Sequence, residues 1–191
     1  MTAWIWIVGR LLGLSTTAGV RASLTLLVMG VCSREGWGFH VAPGFGWLES
    51  SVAIAILVFL TILEIAFDKV PSFDRLYGRL TVPWRVAAGA IAGAAVVGHG
   101  WPGLVAGVVG GIGLAWVGIS VKRLWRPRST PSTMTQPMLS LIEDVGSFAG
   151  AVLSATLPPF GYAIGPWMGW FDWRLHRRQV TKYKGLRVLN G

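Results

Sequence analysis

Apolar residues along this chain fall into long runs separated by short polar segments. Six runs can be drawn: 11–32, 50–67, 86–97 with its flanks, 103–121, 138–157 and 160–173. Several approach the roughly 20 residues an α-helix needs to cross the hydrocarbon core of a bilayer. The pattern predicts an all-α integral membrane protein, with about six transmembrane helices in one bundle. Residues 1–173 form the bundle and 174–191 a basic tail. The sixth run is short and interrupted by Gly and Pro, so it is expected to be tilted, re-entrant or helped by local thinning of the bilayer. Tryptophans 37, 47, 84, 101, 125, 167, 170 and 173 gather near the ends of the runs, as an aromatic belt does. The opening "MTAWIWIVGRLLGL" has no positive charge before its apolar stretch and is interrupted by Arg10, so it reads as a retained interfacial lead-in rather than a secretory signal.

Composition supports this setting. Of 191 residues, 53% are hydrophobic and 13% charged, where a soluble domain carries about 25% charged residues. The net charge of +9 would point to nucleic acid in a soluble protein, but here the basic residues sit between the apolar runs. Loop charge of that kind is first an orientation signal, so no nucleic-acid partner is expected. Lys69, Arg75, Arg79 and Arg85 occupy one connection, and Lys122, Arg123, Arg126 and Arg128 another. The tail adds Arg174, Arg177, Arg178, Lys182, Lys184 and Arg187, whereas the alternate loops hold only Arg34. With six spans, this asymmetry places both termini in the cytoplasm. The tail should also attract anionic lipid. Cys32 is the sole cysteine, and His40, His99 and His176 are scattered without ligand spacing. Neither a metal site nor a cofactor is expected.

Polar residues inside the runs are the candidates for chemistry. Thr17, Arg21 and Thr25 are spaced four apart and so stack on one face of the first span. A central arginine costs at least about 2.5–3.5 kcal/mol, so Arg21 needs a partner or water. Thr61, Glu64 and Asp68 share a face of the second span. Ser140 and Glu143 do so in the fifth, with Asp144 adjacent. Glu64 and Glu143 fall at similar depth, and an Arg21–Glu64–Glu143 cluster is the economical arrangement, with Asp68 at the cytoplasmic boundary beside Lys69. Such a cluster either carries a substrate or coupling ion or simply fixes helix packing. The hydroxyl-rich "RSTPSTMTQP" (128–137) is either a cap on the fifth helix or a set of oxygen ligands. No phosphate loop, serine elbow or zinc-helix motif appears.

"AGVRASLTLLVMGV" (18–31) aligns with "AGVVGGIGLAWVGI" (106–119), and "LTILE" (60–64) with "LSLIE" (139–143). Their preserved order suggests two three-helix repeats, although strict inversion would put Glu143 at the outer end of its helix and the loop charges put it near the cytoplasm. Finally, "GLSTTAGVRASLTLL", "LEIAFDKVPSFD", "PMLSLIEDV" and "KYKGLRVL" together resemble the bacterial membrane family catalogued as domain of unknown function 4126. The resemblance implies a small polytopic bacterial membrane protein and brings no activity or site residues. Three functional readings follow. The first is a transporter or permeation protein that uses the Arg/Glu cluster. The second is a non-catalytic subunit of a larger membrane complex, packed through its Gly-rich faces, whereas a homo-oligomer would favour the first. The third is a lipid-acting enzyme, favoured only by the paired carboxylates.

Overall fold

Residues 2–68, 80–125 and 135–188 are described by a computed structural model, and among them all regular structure is helical. The helices are α1 (Thr2–Val20), α2 (Ala22–Arg34), α3 (Ser51–Asp68), α4 (Val82–Val97), α5 (Gly100–Trp125), α6 (Thr135–Thr156) and α7 (Pro159–Val188). A 3-10 turn at Gly46–Glu49 precedes α3.

The first expected span, 11–32, is two helices. Arg21 is extended (φ −137°, ψ 92°) and separates α1 from α2. The Ser23 N–H, which a continuous helix would direct at residue 19, instead donates to Glu64 Oε2 at 3.2 Å. Hydroxyls flank the break: Thr17 donates to the carbonyls of Gly13 and Leu14, and Thr25 to that of Arg21. Such back-bonding loosens a helix locally. Thr17, Arg21 and Thr25 therefore share no continuous face. The chain also turns back here. A straight helix would separate residues 10 and 34 by about 36 Å, at 1.5 Å per residue. Yet Arg10 donates from Nη2 to the carbonyl of Gly38, four residues beyond α2. So α1 and α2 form a V with Arg21 at the apex.

The other helices differ from expectation at their ends. α4 begins at Val82, four residues before its apolar run, with Pro83 in the first turn, where a missing N–H is harmless. α5 continues through Lys122 and Arg123. The last helix is neither short nor broken: it runs 30 residues with Pro166 inside and crosses the 173/174 division. One proline removes a single intrahelical bond, which a helix packed against neighbours tolerates. The echo between 18–31 and 106–119 matches a segment containing the break to part of unbroken α5. The 128–134 stretch lies outside the described residues, as do Lys69, Arg75, Arg79, Arg126 and Arg128.

α1 is the central helix and touches α2, α4, α5, α6 and α7. Small residues permit this. Gly89 and Gly93 of α4 lie against Gly107 and Gly111 of α5, backbone to backbone. Gly118 of α5 meets Thr16 and Gly19 of α1, and Gly9 and Gly13 face Gly161. Close helix approach of this kind supplies dispersion energy where no hydrophobic gain is available.

The outer surface is apolar. Val52, Ile56, Phe59 and Ile62 on α3 point outward, as do Val105, Val109, Ile112 and Trp116 on α5. Ser51–Asp68 and Gly100–Leu124 are the helices long and apolar enough to cross a membrane, and only 22% and 33% of their apolar windows are buried. A core helix of a soluble protein would be mostly buried, so these helices point to membrane association. Trp37, Trp47, Trp101, Trp167, Trp170 and Trp173 are exposed as a belt requires. Trp84 is not part of it: its indole Nε1 donates inward to Ser23 Oγ at 3.2 Å.

The glycine seam makes a paired prediction. A side chain at Gly111 would collide with the Gly89 carbonyl, whereas Gly113 faces open space. Gly111→Leu should lower the melting temperature of the purified protein by the equivalent of at least about 1–3 kcal/mol, as overpacking does. Gly113→Leu should leave melting unchanged. Equal melting of both variants would mean that α4 and α5 are not in contact along this seam.

Candidate functional site

Charges gather at the apex of the V. Arg21, Glu64, Asp68, Arg85 and Lys122 are each no more than 6% exposed. They come together because five chain segments present one end here: the α1–α2 break, the last turns of α3 and α5, the first turn of α4 and the first half of α6. The opposite end of the bundle holds the start of α1, where Gly9 faces Pro158 and Arg10 Nε donates to the Ala155 carbonyl at 3.2 Å.

Arg21 Nη2 lies 2.6 Å from Asp68 Oδ2 and 2.5 Å from Asp144 Oδ1. It also donates to Ser140 Oγ at 3.1 Å, while Nη1 is 3.5 Å from the backbone carbonyl of Glu64. Lys122 Nζ spans Asp68 Oδ2 at 3.2 Å and Glu143 Oε2 at 3.3 Å. Ser140 Oγ donates on to Asp68 Oδ2 at 3.5 Å. Glu64 stands apart from this set. Its Oε1 is 3.6 Å from Arg85 Nη2, and its Oε2 accepts from the Ser23 N–H at 3.2 Å. Among the described residues three cations thus face four carboxylates, all with side chains at most 12% exposed.

The structure brings part of the sequence-based grouping together and pairs it differently. Arg21, Glu64, Asp68, Ser140, Glu143 and Asp144 do meet. However, Arg21 pairs with Asp68 and Asp144 rather than with the carboxylates of Glu64 and Glu143. Asp68 is central to the cluster, not a solvated helix end, because it is the carboxylate shared by Arg21 and Lys122. Thr17, Thr25 and Thr61 bond carbonyls of the α1–α2 and α3 backbone and add no donor to the ion pairs.

Arg21 is also not alone as a cation inside the helices. Arg85 and Lys122, counted above as loop charges, are buried partners. A signal for both was present in the spacing of small residues. Arg85 precedes Gly89, Ala92 and Gly93 on one helix face, and Lys122 follows Ala115 and Gly118 on another. A cation at the end of a small-residue face points where that face points.

An all-helical bundle with an apolar exterior and an ionic cluster at a helix break defines the class of protein. The chain belongs to the family described as Domain of unknown function (DUF4126), which matches residues 8–178. No match to a curated protein or to a solved structure accompanies it.

Removing one member of a buried ionic set leaves the others uncompensated, at about 3–5 kcal/mol. Lys122→Met should therefore lower stability by that order, because Asp68 and Glu143 both lose their contact with Nζ. Arg123, the next residue, is exposed, and Arg123→Met should cost no more than about 0.5 kcal/mol. Thermal melts of the two variants in one detergent provide the comparison, and equal losses would mean that Lys122 is not in a buried network.

Proposed function

We propose that this is a small polytopic transporter or permeation protein, with the Arg21 cluster as its substrate or coupling site. The observation that carries the reading is the burial of Arg21, Glu64, Asp68, Arg85 and Lys122 inside a bundle whose exterior is apolar. Ionisable groups at membrane depth are costly and by default mark substrate or ion pathways. The break at Arg21 adds a second support. Discontinuous helices in transporters offer N–H groups from one half-helix and carbonyls from the other to charged cargo.

On this reading all seven helices cross a bacterial cytoplasmic membrane, and segments 69–79 and 126–134 face the cytoplasm with their basic residues. With α1 and α2 doubling back, this reading puts the N-terminus on the far side, where six unbroken spans would leave it cytoplasmic. The basic tail engages anionic lipid, and Arg174 over Trp170 (5.0 Å) and Arg177 over Trp173 (4.0 Å) act as interfacial anchors.

The test uses purified protein in vesicles and currents evoked by jumps in chloride, formate, sodium and pH. The parent should give protein-dependent currents. The double apolar variant Arg85→Met/Glu64→Leu removes one ion pair whole, so it should fold and yet lose them. If that variant conducts as the parent does, or the parent conducts nothing, the transport reading fails. Stoichiometric co-purification with other proteins in mild detergent would instead favour the accessory-subunit reading. A reporter at the N-terminus should score outside, as should one after Gly44, and one within 126–134 should score cytoplasmic. A cytoplasmic N-terminus would overturn the seven-pass arrangement.

A further inference from the structure

The pairings within the cluster are uneven. Arg21 and Lys122 hold their carboxylates at 2.5–3.3 Å, whereas Arg85 and Glu64 stand 3.6 Å apart. Arg85 is 3% exposed, and its Nε and Nη2 have no hydrogen-bond acceptor among the described residues. These two N–H groups form the side edge of the guanidinium, a parallel pair that matches the two oxygens of one carboxylate. Leaving both unmet in a buried site is expensive, and what each lacks is an acceptor.

The second half of the arrangement is the start of α2, a helix of 13 residues whose first N–H groups have no intrahelical partner. Glu64 Oε2 takes one of them, from Ser23, and Glu64 Oε1 lies toward Arg85 with no hydrogen bond of its own. One carboxylate thus sits between a helix N-terminus and an arginine edge and satisfies neither fully.

We infer that the N-terminus of α2 and the Nε–Nη2 edge of Arg85 form a binding site for a small carboxylate anion, occupied in this structure by the carboxylate of Glu64. The inference rests on reading the cluster as a binding site and names the chemical class of its ligand. Glu64 acts as an internal competitor: it keeps the buried arginine compensated when the site is empty and swings aside when a ligand arrives. Arg85 supplies bidentate recognition, and the Ser23 N–H, with the helix dipole behind it, supplies the second contact. Trp84 positions the first turn of α2 through its bond to Ser23 Oγ.

The test measures thermal melting of the purified full chain against sodium formate, with sodium chloride at matched ionic strength as the control. Formate should raise the melting temperature of the parent in a saturable way, and chloride should not. Glu64→Ala removes the competitor and should lower the half-saturating formate concentration by about tenfold or more, because the competent state no longer has to be freed. Glu64→Gln keeps the side-chain volume and should shift it in the same direction, which guards against loss of fold in the alanine variant. Adding Arg85→Gln to either variant should abolish the response, and adding Arg34→Gln should not. Equal responses to formate and chloride, or formate responses that persist without Arg85, would overturn the inference. So would a parent and a Glu64→Gln variant that both ignore formate. Formate binding without vesicle currents would remove the transport reading and leave the site. Currents without formate binding would do the reverse.

Discussion

Arg21 is extended between two helices, and its guanidinium has to be compensated at a point where the chain itself offers little. The V it creates exposes unpaired N–H groups at the start of α2 and carries a full positive charge into a mostly apolar bundle. Neither can be met locally. Asp68 arrives from α3, Asp144 and Ser140 from α6, and Glu64 from α3 reaches the Ser23 N–H. Asp68 is then shared with Lys122, which draws in the end of α5 and, through Glu143, holds α6 a second time. Because Arg21, Asp68 and Lys122 each compensate two others, α3, α5 and α6 cannot shift at this end without leaving a charge uncompensated in low dielectric.

Ion pairs at these distances require closely spaced helices, and the glycine seams provide that spacing. The α4 face that ends in Arg85 carries Gly89 and Gly93 against Gly107 and Gly111. The α5 face that ends in Lys122 carries Ala115 and Gly118 against α1. Each face is thus a contact surface of small residues along most of its length and delivers a cation at its end. Dispersion energy along the seams offsets part of the cost of gathering the charges. The charges in turn fix the register in which the seams close.

Much of this was legible in the sequence. The apolar runs locate the helices except that the first, 11–32, holds two, and depth with spacing along a face singles out Arg21, Glu64, Asp68, Ser140 and Glu143, with Asp144 adjacent. The partner of each was not legible, since pairing depends on how helices rotate against one another, and spacing within one helix cannot report that. The break at Arg21 was hidden for a different reason. No proline marks it, Gly19 two residues earlier stays helical, and the break is stabilised by a carboxylate more than forty positions away, at Glu64. The three threonines show the limit of a facial argument: they lie near the charges and bond backbone carbonyls instead.

Arg85 and Lys122 were misplaced because two physical demands use the same kind of residue. A cation at the end of an apolar run normally anchors the chain at the interface and sets its orientation. Removing these two from the tally leaves Lys69, Arg75 and Arg79 in one connection and Arg123, Arg126 and Arg128 in the other, so the orientation signal survives without them. What separates an anchor from a member of the cluster is rotation about the helix axis rather than depth along it. Lys122 and Arg123 are adjacent and nearly level, but about 100° apart around α5. One faces Asp68 and Glu143 and the other faces outward. The small-residue face that Lys122 continues decides that rotation, so the same glycines and alanines that bring the helices together also select which cations enter the site.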